Sequence, residues 1–195
     1  MTPMSILEEA VAFAAEAHRG RRRRGERVPG ILHPMEVAAI VGTMTGSEEL
    51  LAAAMLLDVL EETGVTPETL RERFGDRVAA LADTVSENRR PPEETWPERK
   101  AGILEAVADA EDLGVKLLFL GDSLSNLRSV HRRWRVLGDA AWRDSDQTDP
   151  VLQAWYYRSA LAVLSEVRSY DAWQELNALV ATVFAGVKTE MEELD

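Results

Sequence analysis

Apolar residues recur every three or four positions along most of this chain, and that spacing is the strongest constraint on its fold. Ile6, Leu7, Ala10 and Ala14 open the pattern, which places an apolar stripe on one face of an α-helix. No run alternates apolar and polar residues between hairpin turns, as half-buried strands do. The sequence therefore predicts an all-α protein, with residues 1–195 forming a single bundle of about eight to ten helices.

Capping and helix-breaking residues divide the pattern into segments. Ser47 and Thr66 are typical N-caps, Pro34 occupies a first-turn position that proline tolerates, and Gly64 ends the third segment. The helices predicted from these signals span about residues 5–18, 33–44, 47–63, 66–74, 76–87, 97–111, 114–136, 151–167 and 171–191.

Composition narrows the classes of partner. The net charge of −12 argues against general nucleic-acid binding, which requires a basic surface. The chain contains no cysteine, which excludes disulfides and favours a reducing cytoplasm. We find neither a signal segment nor the roughly 18 uninterrupted apolar residues of a membrane span. We expect a cytoplasmic protein with no nucleic-acid or membrane partner.

The positive charge is concentrated near the N-terminus. A compact group of guanidinium ions suits a small polyanion better than a nucleic-acid duplex. This part of the sequence therefore favours a phosphate-bearing small molecule as the partner. Six arginines lie within nine residues: Arg19, Arg21, Arg22, Arg23, Arg24 and Arg27.

Three residues combine a reactive side chain with a setting that is unusual for a polar group. His33 stands at a loop-to-helix junction, while Asp58 and Asp122 each follow a strongly apolar run. A carboxylate in such a run is costly unless it meets a cation, a metal ion or several donors. Glu61 and Glu62 lie one turn beyond Asp58 on the same helix face. The pattern indicates a bound cation or shifted protonation, although the two glutamates also fit a solvated helix end.

The other two histidines have simpler interpretations. His18 ends the first predicted helix, where a cation interacts favourably with the helix dipole. His131 lies in a basic stretch with Arg132 and Arg133. Both are predicted to be surface residues.

Five motifs, in order, resemble those of HD-domain hydrolases, and specifically the RelA/SpoT hydrolase domain and the stand-alone small alarmone hydrolases. The resemblance covers roughly residues 5–130, with a compatible helical remainder at about 150–191. It implies an HD-domain-like helical bundle that removes the 3′-pyrophosphate from (p)ppGpp with Mn²⁺ as cofactor. The motifs are Ala17-His18-Arg19-Gly20, Pro29-Gly30-Ile31-Leu32-His33-Pro34, Leu56-Leu57-Asp58-Val59-Leu60-Glu61-Glu62-Thr63, Phe74-Gly75-Asp76-Arg77-Val78 and Gly121-Asp122-Ser123-Leu124-Ser125-Asn126-Leu127-Arg128.

The resemblance also implies roles for individual residues. His33, Asp58 and Asp122 match three of the family's four metal ligands. Glu61 and Glu62 match the acidic pair that helps to activate the attacking water. Four further positions match residues that hold the nucleotide: Arg23 and Arg24 on the guanine side, together with Asn126 and Ser129.

Several positions depart from the family pattern, and Leu57 is the most important because it stands where the fourth ligand, a histidine, is expected. Losing a direct ligand should cost more than losing a residue that orients a ligand, which typically costs about 10–100-fold. The remaining departures are Gly30 for tyrosine, Phe119 for lysine, Gly121 for alanine, and Ser123 and Ser125 for larger residues.

Three functions therefore stay open. The first is a (p)ppGpp 3′-pyrophosphohydrolase with a weakened or altered metal site, acting on a guanosine polyphosphate. Assembly as a homo-oligomer stays open as well. The second is a catalytically degenerate HD-domain protein that acts as a nucleotide sensor or interaction module. The third is a structural helical partner, for which the aromatic residues of the second half would supply the contact surface: Trp134, Trp142, Trp155, Tyr156, Tyr157 and Trp173.

Overall fold

The computed structural model describes residues 3–23, 28–87 and 93–188, and within these ranges it contains helices and no β-strand. An isolated bridge between Arg22 and Pro29 is the single β-type pairing there. The all-α prediction is confirmed. Short 3₁₀ helices, Gly138–Asp144 and Ser165–Val167, follow the seventh and eighth α-helices. In chain order, the nine α-helices of the described residues are α1 (Ile6–Ala17), α2 (Leu32–Gly42), α3 (Glu48–Glu62), α4 (Pro67–Phe74), α5 (Asp76–Val85), α6 (Trp96–Asp109), α7 (Leu113–Leu137), α8 (Pro150–Val163) and α9 (Asp171–Val183).

Side-chain caps explain where several helices begin. Ser5 Oγ accepts a hydrogen bond from the Glu8 N–H, and the Glu8 carboxylate accepts one from the Ser5 N–H at 2.7 Å. Ser47 caps α3 through the N–H of Leu50, and Thr66 caps α4. Such caps satisfy N–H groups that no carbonyl within the helix can reach. The helix starts predicted at Ser47 and Thr66 are confirmed.

The ends of the last two helices differ from the prediction, which extended them to residues 167 and 191. In the structure α8 ends at Val163 and α9 at Val183. Val167 and Phe184 are nonetheless buried, so the apolar pattern continues through turns that pack into the core. Gly186 then adopts a φ of +77°, a left-handed conformation that is common beyond helix ends. Residues 189–191 lie outside the described part of the chain.

α3 is the central helix of the fold. It packs against α1, α2, α5 and α7, and its residues from Ala52 to Leu57 are buried without interruption. A helix that is apolar on every side is typical of such a position. The buried side chains around it belong to one hydrophobic core cluster. None of the described helices is both long enough and apolar enough to cross a membrane.

Gly121 sets the distance between α2 and α7. A Cβ atom at this position would lie 2.8 Å from Cγ2 of Val41 and 3.3 Å from Cγ1 of Val37. The first of these distances is well below the optimal separation of two carbon atoms. The glycine therefore permits an approach that brings His33, in the first turn of α2, close to the middle of α7.

One arginine joins the N-terminal ends of three helices. Arg77 of α5 donates from Nη1 to Glu49 Oε2 of α3 at 2.7 Å, and from Nε to Asp112 Oδ2 at 3.1 Å. Asp112 is also the N-cap of α7 and accepts from the Gly114 N–H at 2.8 Å. We call this group, Arg77 with Glu49 and Asp112, the Arg77 junction. It gives α3, α5 and α7 a common starting end, with acidic side chains at the positive ends of their dipoles.

Candidate functional site

A cleft of about 510 Å³ opens between Arg23 and helices α2, α3, α5, α6, α7 and α8. It collects residues that are far apart in sequence, because α3 and α7 run side by side from the Arg77 junction. Arg24 was also predicted to belong to this site but lies outside the described residues. The cleft contains eight of the nine residues predicted from the sequence: Arg23, His33, Asp58, Glu61, Glu62, Asp122, Asn126 and Ser129.

His33 is the centre of the polar cluster in this cleft. Its Nε2 lies 3.0 Å from Oδ1 of Asp122 and 3.6 Å from Oδ2 of Asp58. Pro34 follows it in the first turn of α2, where the absence of a proline N–H costs nothing. The buried imidazole therefore faces two carboxylates from two different helices.

A short hydrogen-bond chain connects this cluster to Arg23. Asn126 Nδ2 donates to Oδ1 of Asp122 at 2.9 Å, since the two residues are one turn apart on α7. Arg23 Nη2 in turn donates to Oδ1 of Asn126 at 2.7 Å. The asparagine thus connects the predicted nucleotide-binding arginine to the predicted metal ligand.

Burial and mutual charge set the protonation of the cluster. Burial alone lowers the pKa of His33, but the charges of Asp58 and Asp122 outweigh it and hold this pKa above its ordinary value. Burial raises the pKa of Asp58. Burial works in the same direction on Asp122, yet its hydrogen bond to His33 and the histidine's charge hold its pKa below the ordinary value. The arrangement favours a positive charge between the two carboxylates.

Glu61 and Glu62 are adjacent but experience different surroundings. Although Glu61 reaches the solvent of the cleft, the surrounding protein raises its pKa to about 7, and the charge of Asp58 adds to this effect. Its Oε1 accepts a hydrogen bond from the Glu87 N–H at 2.8 Å. Glu62 Oε2 instead lies 3.5 Å from Nδ1 of His18, and the histidine lowers the pKa of this carboxyl. One carboxyl can therefore exchange a proton near neutral pH while its neighbour stays ionised.

The surface interpretation of His18 is wrong, because its side chain is buried and the residue is only 3% exposed. The sequence did contain the signal. Ala10 and Ala14 are buried on α1, and His18 continues the same stripe four residues later. His131 is half-buried and stacks on Trp134, with ring centroids 6.4 Å apart.

Leu57 forms part of the cleft wall and is only 4% exposed. Imidazole and carboxylate are donor types that suit Mn²⁺, the cofactor implied by the resemblance. Within the described residues, however, no three His, Cys, Asp or Glu side chains form a group that could hold a metal ion. These side chains do not fit a complete metal site, so the roles of His33, Asp58 and Asp122 as ligands stay predictions.

The sequence prediction missed a cationic part of the cleft. Lys100 Nζ lies 2.5 Å from Oε1 of Glu87 and 4.9 Å above the ring of Tyr156. Arg99 Nε donates to the other carboxylate oxygen of Glu87 at 3.0 Å. Burial alone lowers the pKa of Lys100, but Tyr156 and Glu87 hold it above its ordinary value. No motif identifies these residues, because their proximity depends on the packing of α6 against α5 and α8.

The chain is similar in sequence to known proteins. The sequence profile of the HD domain matches residues 10–141. The chain is 36% identical over 127 residues to a protein of Aquifex aeolicus named guanosine-3′,5′-bis(diphosphate) 3′-pyrophosphohydrolase, which covers 64% of this chain and 18% of the relative. It is also 36% identical over 129 residues to the mouse protein of that name, MESH1, covering 65% of this chain and 70% of the relative.

The matches differ in how much of each relative they cover, and solved structures share the fold. The chain spans less than a fifth of the first two curated relatives, 18% and 17% of their lengths. A crystal structure of lmo0812 from Listeria monocytogenes EGD-e superposes with a TM-score of 0.69 at 31% identity, covering 78% of this chain and 98% of that one. A metazoan SpoT orthologue described as hydrolysing ppGpp gives a TM-score of 0.70 at 23% identity, covering 96% and 99%. The latter supports the fold alone.

Proposed function

Since the chain belongs to the HD-domain family, we propose that its cleft binds a guanosine polyphosphate and hydrolyses it, as the names of its relatives describe for those proteins. The observation that carries the proposal is geometric. His33, Asp58 and Asp122 meet in one cleft that Glu61 and Glu62 also line. The relatives are named for pyrophosphate removal from the 3′ position of the nucleotide, and that is the reaction proposed.

Cationic side chains give the cleft an affinity for a polyphosphate despite the acidic composition of the chain. Arg23, Arg99, Lys100 and Arg133 all line it. Guanidinium and ammonium groups bind phosphate oxygens through charge-assisted hydrogen bonds. The proposal places the guanine base near Arg23 and the phosphates towards α6.

The two glutamates divide the proton chemistry. A base with a pKa of about 7 is well matched to neutral pH, so Glu61 takes the proton from the attacking water. The water oxygen bonds to phosphorus while the bond from phosphorus to the 3′ oxygen breaks, and the proton that Glu61 took from the water passes to that oxygen, which leaves as the 3′-hydroxyl. Glu62 stays ionised beside His18 and orients the water. Because the described side chains do not complete a metal site, no step is assigned to Mn²⁺.

The test is to incubate purified protein with ppGpp, with Mn²⁺ in one series and with a chelator in the other, and to measure pyrophosphate release. Pyrophosphate should appear, and Glu61→Gln should lower kcat by about 10²–10⁴-fold because the general base is lost. Glu105→Gln is the matched control, since Glu105 is an exposed residue of α6. Absence of cleavage in both series would contradict the proposal.

A second function, nucleotide binding without turnover, is favoured by the buried Leu57 in the cleft wall. Calorimetric titration with ppGpp separates the two functions. Binding by the native chain without cleavage, together with Mn²⁺-dependent cleavage by Leu57→His, would establish the second. Equal cleavage by the native chain and the variant would establish the first.

A further inference from the structure

Glu87 places its carboxylate between two cations of the cleft wall. Its Oε1 accepts a hydrogen bond from Nζ of Lys100, and its Oε2 accepts one from Nε of Arg99 at 3.0 Å. All three side chains line the cleft, and each is partly exposed, by between 19% and 30%. A ligand in the cleft can therefore reach the same two cations that the carboxylate holds.

Other contacts hold the two cations in place independently of this carboxylate. Arg99 Nη1 donates to the backbone carbonyl oxygen of Glu94 at 2.8 Å. Lys100 Nζ lies 4.9 Å from the ring centroid of Tyr156 and 5.7 Å from that of Trp96. At such distances an ammonium ion is attracted to the face of an aromatic ring. The pair would therefore keep its position if the carboxylate moved away.

Glu87 can leave this position by rotation of its side chain. It lies two residues beyond Val85, the last residue of α5, so a change of rotamer moves the carboxylate without unwinding that helix. Burial alone raises the pKa of Glu87, but the charges and hydrogen bonds of Lys100 and Arg99 outweigh it and hold this pKa below its ordinary value. The carboxylate is therefore ionised and neutralises part of the charge that a phosphate group would meet.

The backbone of the same residue contacts the proposed general base. The Glu87 N–H donates to Oε1 of Glu61 at 2.8 Å. The two cations therefore lie next to the group that is proposed to activate the water. Positive charge at such a place is aimed at phosphate oxygens on which negative charge develops during cleavage.

We propose that Arg99 and Lys100 form an anion subsite that the Glu87 carboxylate occupies as an internal competitor, and that a pyrophosphate group takes its place on binding. A tethered carboxylate is present at a high effective concentration, so a free anion with a single charge does not displace it. A pyrophosphate group carries more charge and more acceptor oxygens, and it can bind both cations at once. Glu87 is thereby a specificity-determining residue of the cleft. This inference rests on the proposed binding of a polyphosphate but not on its hydrolysis.

The experiment is calorimetric titration of the purified chain with inorganic pyrophosphate in metal-free buffer at neutral pH. Glu87→Gln keeps the size of the side chain and an oxygen that can accept from Lys100, but it removes the competing charge. A site that its competitor leaves free for about a tenth of the time binds about tenfold more weakly than an open site. Glu87→Gln should therefore bind pyrophosphate about tenfold more tightly than the native chain.

Glu105→Gln is the matched control, because it removes the same charge from an exposed position of α6. Its affinity for pyrophosphate should equal that of the native chain. Lys100→Gln removes a cation of the subsite and should abolish the gain when it is combined with Glu87→Gln. Added acetate should weaken pyrophosphate binding by Glu87→Gln and leave that of the native chain unchanged, because only the variant has an open subsite.

An unchanged or lower affinity in Glu87→Gln would overturn the proposal, because it would mean that the carboxylate serves to position the cations. Circular dichroism checks that each variant is folded. If Glu87→Gln does not fold, Glu87→Asp gives a second measurement, since its shorter side chain keeps the charge but reaches the cations less well. This variant should also bind pyrophosphate more tightly than the native chain. Absence of pyrophosphate binding in the native chain and the variants alike would contradict the inference, whereas hydrolysis is tested separately by pyrophosphate release from ppGpp.

Discussion

Two neighbouring carboxyl groups, those of Glu61 and Glu62, have opposite pKa shifts because they face different partners. The protein around the Glu61 carboxyl, together with the charge of Asp58, favours its neutral form although the residue reaches the solvent of the cleft. Glu62 lies beside His18, which favours its charged form. Both residues are glutamates, and they are adjacent in the sequence. The difference is therefore a property of the folded chain.

The raised pKa of Glu61 predicts a measurable pH dependence of stability. The folded chain holds this proton up to about pH 7, whereas the unfolded chain releases it near the ordinary value of 4.5. The folded form binds more protons between these values, so stability falls as pH rises through this window. Glu61→Gln cannot ionise, and its thermal unfolding temperature should fall less than that of the native chain between pH 5 and pH 8.

Differential scanning calorimetry at several pH values measures this effect. The control is Glu105→Gln, because Glu105 is exposed and its substitution should leave the pH profile of the native chain unchanged. Parallel profiles for Glu61→Gln and the native chain would show that Glu61 ionises normally in the folded state.

Among individual residues, the sequence predicted those that differ in polarity from their neighbours in the chain. Asp58 and Asp122 stand out because each follows a buried apolar run. Glu36 and Lys100 do not stand out, since both lie in ordinary polar positions of their helices. Their hydrogen-bond partners are 89 and 13 residues away in the sequence, Ser125 and Glu87. Such contacts require the packing of helices to be known.

At the scale of helices, the close contact between α2 and α7 should make Gly121 intolerant of a side chain. An added methyl group would lie 2.8 Å from Cγ2 of Val41, so the Val41 side chain or the helix that carries it must move. Overpacking of this kind costs about 1–3 kcal/mol. Gly121→Ala should lower the free energy of unfolding by this amount in urea denaturation, although the resemblance gives alanine at this position.

Gly46→Ala is the matched control for this measurement. Gly46 is exposed in the loop before α3, and a Cβ atom there would meet nothing within 4 Å. The stability of this variant should stay within about 1 kcal/mol of the native value or rise slightly, because alanine restricts the unfolded chain. A Gly121→Ala variant as stable as Gly46→Ala would show that the contact between α2 and α7 accommodates the methyl group without cost.

The same scale shows what patterns can and cannot predict about helices. Start points were predictable from Ser47 and Thr66, because a cap is a local interaction between residues three apart. The ends of α8 and α9 were not, since Val167 and Phe184 remain apolar and buried outside the helices. The apolar pattern indicates which residues are buried, and residues of a buried turn can continue the pattern after the helix has ended.

At the scale of the whole molecule, the helices beyond the matched HD segment complete the fold and the cleft. That segment ends at residue 141, yet Tyr156 and Tyr157 of α8 line the cleft. Leu176 of α9 is fully buried in the core cluster. α9 packs directly along α7.

A chain that ends at Asp149 should therefore lose cooperative unfolding. Removal of α8 and α9 exposes the apolar face of α7, including Phe119 and Leu124, and burial of such side chains contributes about 1.5–3 kcal/mol each. We expect no sharp thermal transition by circular dichroism and no binding of ppGpp by calorimetry. A sharp transition with native affinity would show that residues 150–195 form an independent addition.

The Arg77 junction holds the N-terminal ends of α3 and α7 at the same level, so positions along the two helices can be compared directly. Asp58 lies nine residues beyond Glu49 on α3, and Asp122 lies ten beyond Asp112 on α7. At 1.5 Å per residue, both carboxylates rise about 14–15 Å from the same level and meet His33 together. Inserting one residue within either stretch would turn its carboxylate by about 100° away from its partner. Changes in loop length leave the two carboxylates at matching distances from the junction, whereas insertions or deletions within either helix do not.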